Sequence, residues 1–316
     1  PYRRQRQMCI RDRYNTDIIN AADEKLSGGI IGVLAQGGSK LTLENSYIYF
    51  DNGTPLYSAI YGTNRGSYIE ISEGSATNFT KFGQVGSQSF IVGEGDIHRY
   101  ESYEQISKYF DELGWIDYEG IKISSENTLI NESYKISSAQ EFVEYLSGNT
   151  KGKTFVLTKD IDLSELSNFQ GISKFEGTLD GNGHAIKNFT KKVGASQAAL
   201  FDTLEGATIK NLKLDNFTLQ GYTVASLATT ANDSIIDSVV VSNSTMNAKY
   251  TLGGLVTNAY GMTEISNIAI AYNTFGDYEG GNLTAGGIVS SLDSLEACDV
   301  TISLSLIHIS EPTRRV

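Results

Sequence analysis

The 316-residue chain has two cysteines, three prolines, three histidines and one tryptophan. Cys9 and Cys298 are too few for a disulfide framework, and a structural zinc site needs more cysteine and histidine than this. No run of 18 apolar residues occurs, so no segment reads as a membrane-spanning helix. Positive charge is also scarce: 25 Lys and Arg stand against 37 Asp and Glu, a net charge of −12. Phosphate binding needs clustered Lys and Arg, so an acidic chain of this kind argues against nucleic acid as a partner. A Gly-x-Ser-x-Gly nucleophile elbow is missing as well. What remains is a chain rich in Gly, Asn, Ser, Thr and Tyr, long enough for one or two domains.

Its second half repeats. "AALFDTLEGATIKNLKL" (Ala198–Leu214), "VASLATTANDSIIDSVVV" (Val224–Val241), "LGGLVTNAYGMTEISNIAI" (Leu252–Ile270) and "AGGIVSSLDSLEACDVTI" (Ala285–Ile302) share one layout. Small residues precede an apolar pivot, and a short apolar strand follows about nine residues later. The pivots Leu200, Leu227, Leu255 and Ile288 lie 27, 28 and 33 residues apart. Strand starts are expected at Ile209, Ile236, Ile265 and Ala297, and "HAIKNFT" (His184–Thr190) reads as an earlier partial copy. Period-two alternation, read in Ile209/Leu212/Leu214, turns one face of each strand inward, and Asn, Asp, Ser and Gly suit the corners between strands. One such coil cannot bury its own apolar face, but stacked coils can. The fold class expected is all-β, a right-handed parallel β-helix in two segments. The alternative is a β-sandwich of antiparallel hairpins, which gives no reason for in-register repetition.

The first half carries a similar ladder, "SGGIIGVLAQGGSKLTLENSYIYF" (Ser27–Phe50) and "YSAIYGTNRGSYIEIS" (Tyr57–Ser72), expected to be the last coils of a preceding solenoid. Two short helices are expected. One is a junction helix in "ESYEQISKYFDELGWIDYEG" (Glu101–Gly120), with Ser102 and Gln105 as its capping pair and Gly114 as its stop. The other is a capping helix in "SSAQEFVEYLSG", with Ser138 and Glu141 as capping box, Phe142, Val143 and Leu146 as buried face and Gly148 as its end. Its expected task is to cover the open end of the second solenoid, where unpaired edges invite aggregation.

The stretch "YKISSAQEFVEYL", "KTFVLTKDIDLS", "FEGTLDGNGHAIKNFT", "ALFDTLEGATIKNLKLDN", "LGGLV" and "AGGIV" resembles the β-helical region of the immunoglobulin-A-cleaving zinc metallopeptidases of Gram-positive bacteria. It also resembles the GLUG-type repeats of bacterial surface proteins. The resemblance runs from Tyr134 to about Ile302, and Ser27–Ser72 is a looser match. It implies an extracellular, cell-wall-associated parent in which a catalytic domain lies downstream. The His-Glu-x-x-His helix of that domain is absent from these residues. No catalytic residue, cofactor or zinc ligand is therefore carried over, and any zinc belongs to the rest of such a parent.

The termini read differently from the chain between them. "RRQRQMCIRDR" (Arg3–Arg13) and "LSLIHISEPTR" (Leu304–Arg314) resemble translated arms of sequencing-library adapters. With suitable codons, Met8–Asp12 is encoded by the reverse complement of Leu304–His308. The expected organisation is adapter-derived sequence at 1–13, solenoid coils at 14–98, a helix-containing linker at 99–133, a second β-helix at 134–303, and adapter-derived sequence at 304–316. The natural part is then a metagenomic fragment.

Two constellations merit weighing for chemistry. In "TLDGNGH", Asp180, Asn182 and His184 alternate, and an extended backbone would set all three on one face. β-Helical polysaccharide lyases and hydrolases use acids and bases on such faces. The competing reading has Gly181 and Gly183 forming a tight corner that Asp180 and Asn182 cap, and it is favoured because no constant set of acid and base partners is kept on the next coils, where Ile209, Lys210 and Asn211 give way to Ile236, Asp237 and Ser238. In "TKDIDLSE", Asp160, Asp162 and Glu165 are the candidate Ca²⁺ ligands, though the loop lacks the EF-hand series; a solvated strand edge is the favoured reading. The expectation is thus a non-catalytic spacer or interaction module at the bacterial surface. An adhesin that binds host protein or glycan is the first alternative, with exposed tyrosines as one candidate surface, and a polysaccharide lyase or hydrolase the second.

Overall fold

A computed structural model of the chain describes residues 133–271, 273–278 and 283–292, and elsewhere only the backbone of separate strands between 17 and 309. The strands form three parallel sheets, one of 16 strands and two of eight, and the chain visits each in turn. One coil consists of Thr208–Asp215, Thr218–Ala225 and Ala228–Asn232. The next consists of Ile235–Ser242, Thr245–Gly253 and Val256–Tyr260. Every pair between them is parallel, so the fold is a β-solenoid and the sandwich is excluded.

Register is set by inward apolar residues. In the large sheet Ile209 pairs with Ile236 and Ile236 with Ile265; in the second sheet Leu219, Met246 and Phe275 align; in the third, Phe201, Ala228, Val256 and Val289. All of these are buried, as are the pivots Leu200, Leu227, Leu255 and Ile288. A slip of one residue would turn each inward set to solvent. Two aromatic rows fill the core at the N-terminal end of this stack, the first crossing between sheets and the second following successive coils. Phe155, Phe175 and Phe201 have ring centroids 5.8 and 5.4 Å apart, and Phe169, Phe189 and Phe217 follow at 5.4 and 5.5 Å.

Three sequence expectations change in detail. Ile209 and Leu212 are three apart, yet both point inward, because Asn211 between them has φ +52°. This left-handed residue bends the strand and restores the inward phase after it. Ser238 and Asn267 repeat the bend on the next two coils, at φ +56° and +53°. The earlier copy begins at Leu179, which pairs with Ile209; Ile186 of "HAIKNFT" pairs with Leu214 further along the same strand. In the last repeat it is Ile302, not Ala297, that pairs with Ile265.

The capping helix α1 (Ala139–Leu146) is present. Ser138 Oγ accepts the Glu141 N–H at 3.2 Å, while the Glu141 carboxylate reaches one residue further back, to the N–H and hydroxyl of Ser137 at 2.7 and 2.8 Å. Ala139, Phe142 and Leu146 are buried and Val143 half-buried. Helix α1 ends on Ser147, whose N–H donates to the Val143 carbonyl; Gly148 does not supply a left-handed cap. It packs against Tyr134–Ile136, Ile161–Asp162 and Ile172–Phe175, and Phe142 meets Phe169 edge-on at the foot of the second aromatic row.

The expected junction helix (Glu101–Gly120) lies outside the described residues, as do residues 1–13. Strands of the first half pair in parallel with those of the last coils: Ile31–Leu34 with Val289–Leu292, and Lys40–Glu44 with Asp299–Ser303. Leu306–Ile309 is a strand paired with Tyr47–Phe50.

The aromatic rows give a stability test. Phe201→Ala should cost about 3–5 kcal/mol in urea unfolding, whereas Ile235→Ala at an exposed position should change stability by about 0.5 kcal/mol or less. Equal effects would show that the row is not close-packed.

Candidate functional site

The residues singled out for chemistry gather at the corner of the first two coils. Asp180 ends the strand Thr178–Asp180, and the next turn, Gly181–Gly183, is tight. A Cβ at Gly181 would lie 2.4 Å from the Asn211 carbonyl oxygen, and Gly183 has φ +81°, so both positions require glycine. Asn182 has φ +49°, which breaks the extended alternation that would have set Asp180, Asn182 and His184 on one face.

Each of the three is instead held by the fold. The Asp180 side chain is 2 % exposed; its Oδ1 accepts the Asn182 N–H at 2.8 Å and the Asn211 amide at 3.1 Å, and Lys210 Nζ lies 3.3 Å from Oδ2. The Asn182 amide points at the Leu157 carbonyl, 3.4 Å away. His184 Nδ1 turns to Asp160, at 3.4 Å. The Asp180 carboxylate thus caps the turn that follows it.

Asp160 and Asp162 are likewise engaged. Lys187 Nζ lies 2.5 Å from Asp160 Oδ2, and Oδ1 accepts the Ala185 N–H at 3.0 Å. Asp162 caps the short 3₁₀ turn Leu163–Glu165: its Oδ1 accepts the Ser164 N–H and hydroxyl at 2.9 and 2.6 Å, and its Oδ2 the Asn188 amide at 2.8 Å. Glu165 is exposed on that turn. A cation at Asp160 would have to displace the Lys187 ammonium. Among the described residues no group of three His, Cys, Asp or Glu is placed to hold a metal ion.

These contacts belong to a device that recurs on successive coils among the described residues. An Asn in the left-handed conformation donates its amide to an Asp or Asn on the coil before: Asn188 to Asp162, Asn216 to Asn188, Asn211 to Asp180, Asn243 to Asp215 and Asn267 to Asp237. Asn tolerates the backbone there better than other residues with a Cβ, and its amide then spans one strand spacing. The sequence signal was the recurrence of Asn and Asp at corner positions; the pairing between coils was not readable from it.

The electrostatics follow from these contacts. The Lys187 ammonium hydrogen-bonded to Asp160 holds that carboxyl below its ordinary range, and in turn raises Lys187. The Ser164 hydroxyl and the Asn188 amide hold Asp162 down in the same way.

Comparison with known proteins places this region among relatives. Residues 125–243 match the family model of the M26 IgA1-specific metallo-endopeptidase N-terminal region. The immunoglobulin A1 protease of Streptococcus sanguinis is 28% identical over 177 residues, 52% of this chain and 9% of that protein. Halomucin of Haloquadratum walsbyi is 37% identical over 84 residues, 26% of this chain and 1% of that protein. The chain thus spans less than a tenth of either relative. A putative immunoglobulin A1 protease from Bacteroides ovatus, solved by crystallography, aligns with 56% of this chain and 67% of its own at 17% identity, with a TM-score of 0.34. Residues 125–243 of the chain are thus similar in sequence to the N-terminal region of IgA1-specific metallo-endopeptidases. No helix among the described residues is long and apolar enough to cross a membrane.

The depressed carboxyls set a pH window. A carboxyl lowered on folding adds stability above its unfolded pKa of about 4, and that stability is lost as pH falls through the folded value. Melting temperature should therefore drop below about pH 4, and Asp160→Asn with Asp162→Asn should flatten the drop. Because Asp160 is half exposed, the difference at pH 6 should stay within about 1 kcal/mol. Identical acid profiles for the two proteins would contradict the assignment.

Proposed function

We propose that the chain is a stiff, non-catalytic β-solenoid spacer from the N-terminal region of a large secreted, surface-associated protein of the IgA1-protease type. It would hold a distant catalytic or binding domain away from the cell envelope while presenting long side faces for contact. One observation carries the reading: register is kept without a break from Lys174 through Thr203, Thr230 and Asn258 to Ser291. Relatedness to the N-terminal rather than the catalytic part of the metallopeptidases supports it. So does the engagement of every candidate acid in the coil corners by turn or ladder contacts, Glu165 excepted.

Stiffness has a physical cause. Each coil is hydrogen-bonded to its neighbours on three sides, and bending would open strand pairs and the apolar column together. Among the described residues Thr257 Oγ1 is the one buried side-chain polar atom without a hydrogen-bond partner.

Two measurements on the whole chain test this. With Cys9 and Cys298 replaced by serine, spin labels on Lys174→Cys and Ser291→Cys should give a narrow distance distribution. Its centre should lie near four strand spacings, roughly 19 Å before allowance for the label arms. A broad distribution would contradict a spacer role. Incubated with IgA1 and zinc, the purified chain should leave the antibody uncut; chelator-sensitive cleavage would overturn the non-catalytic reading.

A further inference from the structure

The outer face of the second sheet differs from the other two. The large sheet carries Lys210, Lys213, Asp215, Asp237 and Glu264 outward or at its corners, and the third sheet carries Asp202 and Glu205. Between Thr190 and Thr251 the second sheet has no carboxylate among its strand residues, although the chain as a whole has a net charge of −12. It shows rows of like groups instead. Thr218 aligns with Thr245 and Thr245 with Thr274, and beside them Gln220 aligns with Asn247. None of these five residues is buried.

An aromatic step stands next to these rows. The strand Thr245–Gly253 bulges opposite Tyr222, so that Lys249 and Tyr250 together face it. The Tyr222 and Tyr250 rings meet edge-to-face with centroids 5.0 Å apart, and Lys249 Nζ lies 5.0 and 5.6 Å from the two centroids. Tyr250 is 45% exposed, a cost in water that the fold does not need for its core. Tyr278 follows on the next coil, where its N–H donates to the Ala248 carbonyl.

We propose that this face binds a neutral glycan chain laid along the solenoid axis. Pyranose rings present C–H faces that stack on aromatic rings and hydroxyls that bond to Thr, Gln and Asn. The face offers these groups in parallel rows, one set per strand spacing of about 4.8 Å, a rise close to the length of one extended hexose residue. Between Thr190 and Thr251 the lack of carboxylates on its strands removes a desolvation cost, and Lys192 and Lys249 bring the charge to the face there; Asp277 ends the strand that follows. A protein partner would want a contiguous apolar centre, and Tyr250 is the only large exposed apolar side chain described on this sheet. The inference rests on the module being displayed outside the cell, but its test is independent of the spacer measurements.

Native affinity electrophoresis of the full chain through gels containing galactomannan, mixed-linkage β-glucan or polygalacturonate decides it. Retardation is expected in at least one neutral gel and not in polygalacturonate. Tyr222→Ala with Tyr250→Ala should weaken it about tenfold or more, as loss of aromatic anchors does. Thr245→Glu, an exposed change that leaves the core intact, should weaken it too, and Ile235→Ala on the large sheet should not. Retardation by polygalacturonate alone, in none of the gels, or undiminished in both the double tyrosine variant and Thr245→Glu would overturn the proposal.

Discussion

Parallel pairing in register between successive coils is the constraint on which the rest of this structure depends. A single coil exposes its apolar residues and leaves strand edges open above and below. Stacking removes both costs together, because the residue that covers Ile209 is Ile236, its pairing partner. The same superposition sets Phe217 over Phe189, each one residue before the paired Thr218 and Thr190. It also places the Ser234 hydroxyl where it accepts the Ala207 N–H, and Ser244 where it accepts that of Phe217. Burial, aromatic packing and polar satisfaction are here three consequences of one translation.

Corners are where that translation must be defended. Turning the chain within so few residues needs left-handed backbone, which costs any residue with a Cβ. Asn and Asp occupy most of these positions and recover part of that cost through amide–carboxylate contacts with the neighbouring coil. The carboxylates that looked most like catalytic or metal-binding groups are members of this ladder or of the turns beside it. Asp180 and Asp162 serve the geometry of the coil.

How far this was legible from sequence can be seen at particular residues. Leu200, Leu227, Leu255 and Ile288 stood out because a buried pivot recurs with the coil length, and each is fully buried. The inward phase across Asn211 was misjudged, since strict alternation assumes an unbroken strand and a left-handed residue adds one position without changing face. The last register, set by Ile302, was missed for a related reason: that repeat is longer, and nothing local marks which apolar residue pairs with Ile265. Asp180 was recognisable as a turn cap from the glycines that follow it, Gly181 and Gly183. The Tyr222–Tyr250 step was not, because the bulge that brings the rings together is a property of paired strands.

Similarity to the N-terminal region of IgA1-specific metallopeptidases and a stacked solenoid are found in the same stretch of chain. The solenoid stands or falls with parallel register. Nuclear Overhauser spectroscopy on the isotope-labelled chain, its α-protons retained, reads it directly. Amide-to-α-proton contacts should link Leu212 with Val239 and Val239 with Ile268, repeating coil after coil. Strong α-to-α contacts between neighbouring strands, the mark of antiparallel pairing, would contradict the account.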